Sequence, residues 1–153
     1  MLCKLVLDTN TLVSAFFWEG NEAELLRNIE QGKAELYISQ EILREIEEVI
    51  KRPKFDEVMK KASLTSEQIM EKIVSLSHLV IAPKLNINIC RDERDNKILE
   101  CAESAEADYI VSGDEDLISL SVVMNSSLLN KDCVLSIQSM GRQLKNFLSI
   151  SRA

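Results

Sequence analysis

The stretch Lys4-Leu5-Val6-Leu7-Asp8-Thr9-Asn10 decides how this chain is read. Leu5, Val6 and Leu7 form an unbroken apolar run, too short for a helix and without polar alternation. Such a run predicts a strand buried on both faces, the central-strand pattern of a parallel sheet. It ends at a carboxylate, and Thr9 and Asn10 are good helix N-cap residues. In open α/β sheets, ligands sit beyond the carboxyl ends of the strands. Asp8 is therefore expected at the mouth of whatever site the protein has.

Outward from this stretch the chain alternates between strand and helix patterns. Helices are expected over residues 11–18, 22–31, 40–51 (capped by Ser39), 54–62 and 65–76 (capped by Thr65). Strands are expected at Leu36-Tyr37-Ile38, over 78–82 and at Tyr109-Ile110-Val111. A helix runs from Asp95 to about Glu106, and Asp116 begins a short one. Residues 122–132 read as an irregular connection, 133–137 as a fifth strand and 139–148 as a closing amphipathic helix. The alternation predicts one α/β domain over residues 1–153, a parallel sheet between two helical layers. No repeat, linker or low-complexity tract interrupts it.

Composition narrows the class. A chain of 153 residues buries roughly 70% of its unfolded surface, enough for a sizeable core. No apolar run approaches the roughly 20 residues that span a bilayer, and no secretory signal opens the chain, so a cytoplasmic protein without a membrane is expected. The four cysteines, Cys3, Cys90, Cys101 and Cys133, lie far apart without a C-x-x-C pair and read as reduced, buried hydrophobes. His78 is the sole histidine and sits in an apolar run, which argues against a zinc-hydrolase site. The net charge of −7 excludes a broad basic nucleic-acid surface, though not a local contact beside acids that hold a metal.

The acids carry the chemistry. Asp8 and Asp114 each follow a buried strand directly, which puts both at one edge of the sheet if the strands are parallel neighbours. One acid in such a turn is commonplace, whereas two strands ending alike are less so. Asp95 stands in the first turn of its helix, in line with the core stripe Ile98, Leu99, Ala102 and Ala105. Burying that carboxylate unpaired would be costly. A purely structural role is also open, with Asp92 as N-cap and Asp95 receiving the helix dipole. On helix 40–51 the stripe is Ile42, Leu43, Ile46, Val49 and Ile50, flanked by Glu45 on one side and Glu47 on the other. Periodicity does not choose between them, and the pattern alone reads as a solvated acidic face.

Carboxylates forced together repel, and a proton or divalent cation must compensate. With no histidine or cysteine cluster on offer, oxygen ligands suit Mg²⁺ or Mn²⁺. Such ions keep positions open for water and phosphate oxygens. One ion polarising a phosphate and activating water, with a second at the leaving oxygen, is phosphodiester-cleaving chemistry.

Four segments together resemble a PIN domain. They are Asp8-Thr9-Asn10, Ser39-x-Glu41-Ile42-Leu43-x-Glu45, the run from Arg94 to Ala102 and the run from Ala107 to Leu117. The resemblance covers nearly the whole chain, with the segments in the family's order. It implies a three-layer α/β/α fold with a central parallel sheet of four to five strands. It also implies metal-dependent ribonuclease activity, as in the toxins of many toxin–antitoxin pairs, with RNA as substrate, an antitoxin protein as partner and a homodimer as assembly. Carried over residue by residue, the family's acids fall on Asp8, Glu45, Asp95 and Asp114, with Asp116 as an accessory metal ligand. Only the resemblance selects Glu45 over Glu47. Asn10 and Ser112 match positions that orient the acids, Ser112 standing where Thr is common.

Two other readings compete with a nuclease. One is a PIN-like nucleic-acid-binding or scaffold module with little activity. The other is a phosphotransferase with an aspartyl nucleophile at Asp8, which wants a second acid where this chain has Asn10. Lys51, Arg52, Lys54, Lys60 and Lys61 read as a solvated face with local ion pairs. Arg91, Arg94 and Lys97 flank the third acid, where phosphate contact and ion pairing are equally open. Phe16, Phe17 and Trp18 read as a core or subunit contact ahead of a base-stacking surface.

Overall fold

Leu5, Val6 and Leu7 are each no more than 2% exposed, although neighbours along a strand face opposite sides of the sheet. Both faces of this strand are therefore covered, as its sequence requires. It is β1, Cys3–Leu7, in a computed structural model that describes residues 2–82, 93–112 and 134–136. The other strands are β2 (Ala34–Ser39), β3 (Ser77–Val80), β4 (Tyr109–Ser112) and β5 (Val134–Ser136). Every pairing is parallel and the order is β3-β2-β1-β4-β5. With helices on both sides, this is a three-layer α/β/α fold.

The chain lays β2 and β3 on one side of β1 and then crosses to lay β4 and β5 on the other. The change of direction falls between β1 and β4, and a crevice opens beyond the carboxyl ends of strands at such a switch point. The register Leu7↔Val111 fixes what lies there, because the next residues on each strand are Asp8 and Ser112. The opposite end of the pair is locked by reciprocal bonds: Lys4 N–H donates to Asp108 Oδ2 and Asp108 N–H to the Lys4 carbonyl, both at 2.8 Å.

Among the described residues, six α-helices carry the rest: α1 (Thr9–Phe17), α2 (Asn21–Glu30), α3 (Gln40–Ile50), α4 (Asp56–Ala62), α5 (Ser66–Leu76) and α6 (Glu93–Ala105). The Ser39 and Thr65 caps form as expected. Ser39 Oγ accepts from Ile42 N–H, and Thr65 with Gln68 makes a reciprocal capping box. The cap of α1 differs from expectation. It is Asp8 itself, so the helix starts at Thr9 and not at residue 11. The helix expected over 54–62 opens instead as a 3-10 turn, Pro53–Phe55, because proline favours a first turn and lacks the N–H to continue one.

The expected strand over 78–82 begins earlier, at Ser77, and ends at Val80. It is also an outer strand: His78 and Leu79 are exposed, and Ile81 beyond it is 94% exposed. His78 stacks on Tyr37 of β2 with ring centroids 4.9 Å apart, a structural use for the sole histidine. The expected helices at Asp116 and over 139–148 lie outside the described residues, as does most of the 122–137 stretch. Among the described residues, no helix is long and apolar enough to cross a membrane.

Candidate active site

Asp8 is only 8% exposed at the carboxyl end of β1, and its two oxygens are held separately. Thr11 N–H donates to Oδ1 at 2.8 Å, the N-cap bond of α1. The hydroxyl of Ser112, fully buried at the end of β4, donates to Oδ2. The Asp8 backbone N–H donates to the Val111 carbonyl at 3.2 Å. The strand and helix that meet at Asp8 thus fix the direction of its carboxylate.

The next residue brings in a second acid. Thr9, at the start of α1 and 6% exposed, donates its hydroxyl to Glu45 Oε2 at 2.7 Å. Glu45 reaches this point because Ile42, Ile46, Val49 and Ile50 press the neighbouring face of α3 into the core. Glu47, which periodicity alone could not separate from Glu45, turns the other way and pairs with Lys51 at 2.9 Å on a half-exposed surface. The ammonium of Lys97, from α6, also meets Glu45 Oε2, at 2.8 Å. Among the described residues, the carboxyl edge therefore gathers two acids, two hydroxyls and one lysine, from the end of β1 and from α1, α3, α6 and β4.

Asp95 falls in the first turn of α6, as its sequence predicts, but its side chain lies outside the described residues, as do Asp114 and Asp116 in full. Arg91 and the Arg94 side chain lie outside them too. Asn10 is exposed in the first turn of α1. The sequence reading missed the use made of Thr9 and Lys97. Thr9 was assigned to capping, yet it follows Asp8 directly, so whatever approaches the strand end also meets its hydroxyl. Lys97 stands one helical turn before Cys101 on a flank of the core stripe, a place from which a long side chain reaches a neighbouring helix.

Cys101 and Cys3 are buried free thiols, as their spacing implies. Burial pushes both up to about 12, reinforced at Cys3 by Asp108 and at Cys101 by Glu41, while contact with Ser39 works the other way at Cys101. They stay protonated and inert at neutral pH. The aromatics at the far end of α1 pack as a cluster: Phe17 stacks on Phe55 at 5.3 Å, and Trp18 meets Phe55 edge-on at 5.9 Å. Trp18 remains 51% exposed beside a groove of about 310 Å³ between α1, α2 and α5, away from the acids.

Among the described residues, no group of three or more His, Cys, Asp or Glu is arranged to hold a metal ion. The donors present nevertheless fit a hard divalent cation, being carboxylate and hydroxyl oxygens without thiolate or imidazole. An ammonium already sits on Glu45, so the pocket is one in which positive charge is welcome.

Comparison with known proteins assigns the family. The family model described as PIN domain matches residues 4–116. An uncharacterized protein of Methanocaldococcus jannaschii is 36% identical over 120 residues, covering 76% of this chain and 74% of that protein. No solved structure matches the chain. With a nuclease-type fold and acids at the switch point of its sheet, the chain belongs to the PIN-domain family.

Proposed function

We propose that this protein is a metal-dependent endoribonuclease that hydrolyses RNA phosphodiester bonds with Mg²⁺ or Mn²⁺. The observation that carries the reading is the buried Asp8 carboxylate, oriented by Ser112 and Thr11, with Glu45 tied to the same point through Thr9. Asp8 and Glu45 would hold the ion together with Asp95 and Asp114, with Asp116 as an accessory ligand. The ion supplies Lewis acidity at the phosphate and lowers the pKa of water. Ser112 and the Thr11 N–H hold the Asp8 carboxylate in one direction. Thr9 holds one oxygen of Glu45 through its hydroxyl. A role as the toxin of a toxin–antitoxin pair, acting in the cytoplasm as a homodimer and restrained by a separate antitoxin, belongs to this proposal.

The test is a panel of RNA substrates incubated with Mn²⁺, Mg²⁺ or chelator, with the product ends sequenced. Cleavage is expected with either ion and none with chelator. Undiminished cleavage in chelator, or none under any condition, would overturn the reading, the latter in favour of a binding or scaffold module. The two flanking glutamates give a sharper comparison. Glu45→Gln is expected to lower the Mn²⁺-dependent rate about 10- to 100-fold, the scale of losses around metal centres. Glu47→Gln breaks only an exposed pair and is expected to stay within about 2-fold. Equal rates for the two variants would remove Glu45 from the site.

A further inference from the structure

We propose that Lys97 is a tethered counter-cation of this site, holding Glu45 in the metal-free protein and competing with a divalent ion for it. The inference rests on the metal-dependent reading above and deepens it. Two observations carry it. The Lys97 ammonium and the Thr9 hydroxyl converge on the same oxygen, Glu45 Oε2, at 2.8 and 2.7 Å. The ion pair is also set into the protein: its side chains are 20% and 24% exposed, against 56% and 50% for the Lys51–Glu47 pair of the same helix α3.

The architecture holds the lysine in reach. Ile98, Leu99 and Cys101 are buried around it on α6, so the backbone from which the side chain projects is fixed. One turn further along, Cys101 meets Ser39, the cap of α3, so α6 and the start of α3 touch at this point. Glu45 is therefore presented to Lys97 by packing on both sides, with little side-chain entropy left to lose in forming the pair.

An ammonium and a divalent ion cannot share one carboxylate oxygen comfortably. Both are cations, and at partly buried positions their repulsion is screened far less than at the surface. An ion held by Glu45 would compete with Lys97 for the same carboxylate, and the work of weakening the ion pair would be subtracted from its affinity. Lys97 is thus a positioning residue acting through Glu45. It keeps the acid neutralised and aimed until an ion of higher charge displaces it.

The experiment is a Mn²⁺ titration of the full chain, read by electron paramagnetic resonance of free Mn²⁺, on the parent protein and three variants. Lys97→Met is expected to bind Mn²⁺ about 5- to 30-fold more tightly, the range set by one partly buried ion pair. Lys97→Arg restores a cation beside Glu45 and is expected to return the affinity to near the parent value. Lys51→Met changes the net charge equally but leaves the site alone, and is expected to stay within about 2-fold. Thermal melting adds a second readout, with Lys97→Met melting lower than the parent in chelator and the gap closing in saturating Mn²⁺. Unchanged or weaker Mn²⁺ binding by Lys97→Met, or equal tightening by Lys51→Met, would overturn the proposal. If the parent binds Mn²⁺ and cleaves RNA while Lys97→Met binds it unchanged, the nuclease reading stands and only the role of Lys97 falls. A parent that binds no Mn²⁺ overturns both.

Discussion

Replacing Asp8 with Asn is expected to slow Mn²⁺-dependent RNA cleavage by about 100-fold or more while leaving the protein folded. The loss exceeds the 10- to 100-fold typical of partners one step removed from a metal, because the charge itself is removed. The fold survives because Asn caps a helix as well as Asp does. Its amide oxygen still accepts the Thr11 N–H, and its amide nitrogen can donate to Ser112 if that hydroxyl turns to accept. The cost is within about 1 kcal/mol, a melting shift of roughly 2–4 °C for a chain of this length. Asp8→Ala is the poorer test, since it removes the cap and leaves the buried Ser112 hydroxyl without its acceptor, costing about 1–3 kcal/mol. A folded Asp8→Asn protein cleaving at the parent rate would take Asp8 out of the chemistry.

The largest effect on stability is expected at Ile46. It is fully buried on α3, immediately after Glu45, in a stripe shared with Ile42, Val49 and Ile50. Truncation to Ala removes apolar contacts and leaves a cavity that rigid neighbours cannot close, costing about 2–5 kcal/mol. Against a typical total of about 5–15 kcal/mol, this is a large fraction of the whole. The melting temperature is expected to fall by roughly 5–20 °C. Val74→Ala, at a position 55% exposed, is expected to change stability by less than about 0.5 kcal/mol. A loss under about 1 kcal/mol at Ile46 would mean that the neighbours collapse into the gap and that α3 is not the rigid mount for Glu45 described above.

Much of the fold was legible because its signals are local. The Leu5-Val6-Leu7 run could only be a doubly buried strand, and Ser39 and Thr65 announce helix starts by their own side-chain chemistry. The errors fall where tertiary context decides. The run around Leu79 is as apolar as a core strand, yet it lies at the outside of the sheet, which composition cannot report. β2 pairs with β1 from Ala34 onward and with β3 as far as Ser39, so a strand read as three residues extends over Ala34–Ser39.

The same division runs through the site. Asp8 was readable from its place after β1. The contacts of Glu45 with Thr9 and Lys97 join segments distant in sequence, and no periodicity within one helix predicts a contact between two. Glu45 and Glu47 are the clearest case. They flank one stripe symmetrically in sequence, and only the packing of α3 beside α1 and α6 makes one inward and the other solvated.

The Asp8–Ser112 bond joins residues 104 positions apart. At translation rates of about 5–20 residues per second, Asp8 is synthesised roughly 5–20 s before its partner. Through that interval β1 has β2 to pair with but not β4, and the carboxylate lacks the hydroxyl that aims it. The Asp8 carboxylate thus takes its final orientation only when β4 docks beside β1, after most of the chain has been made.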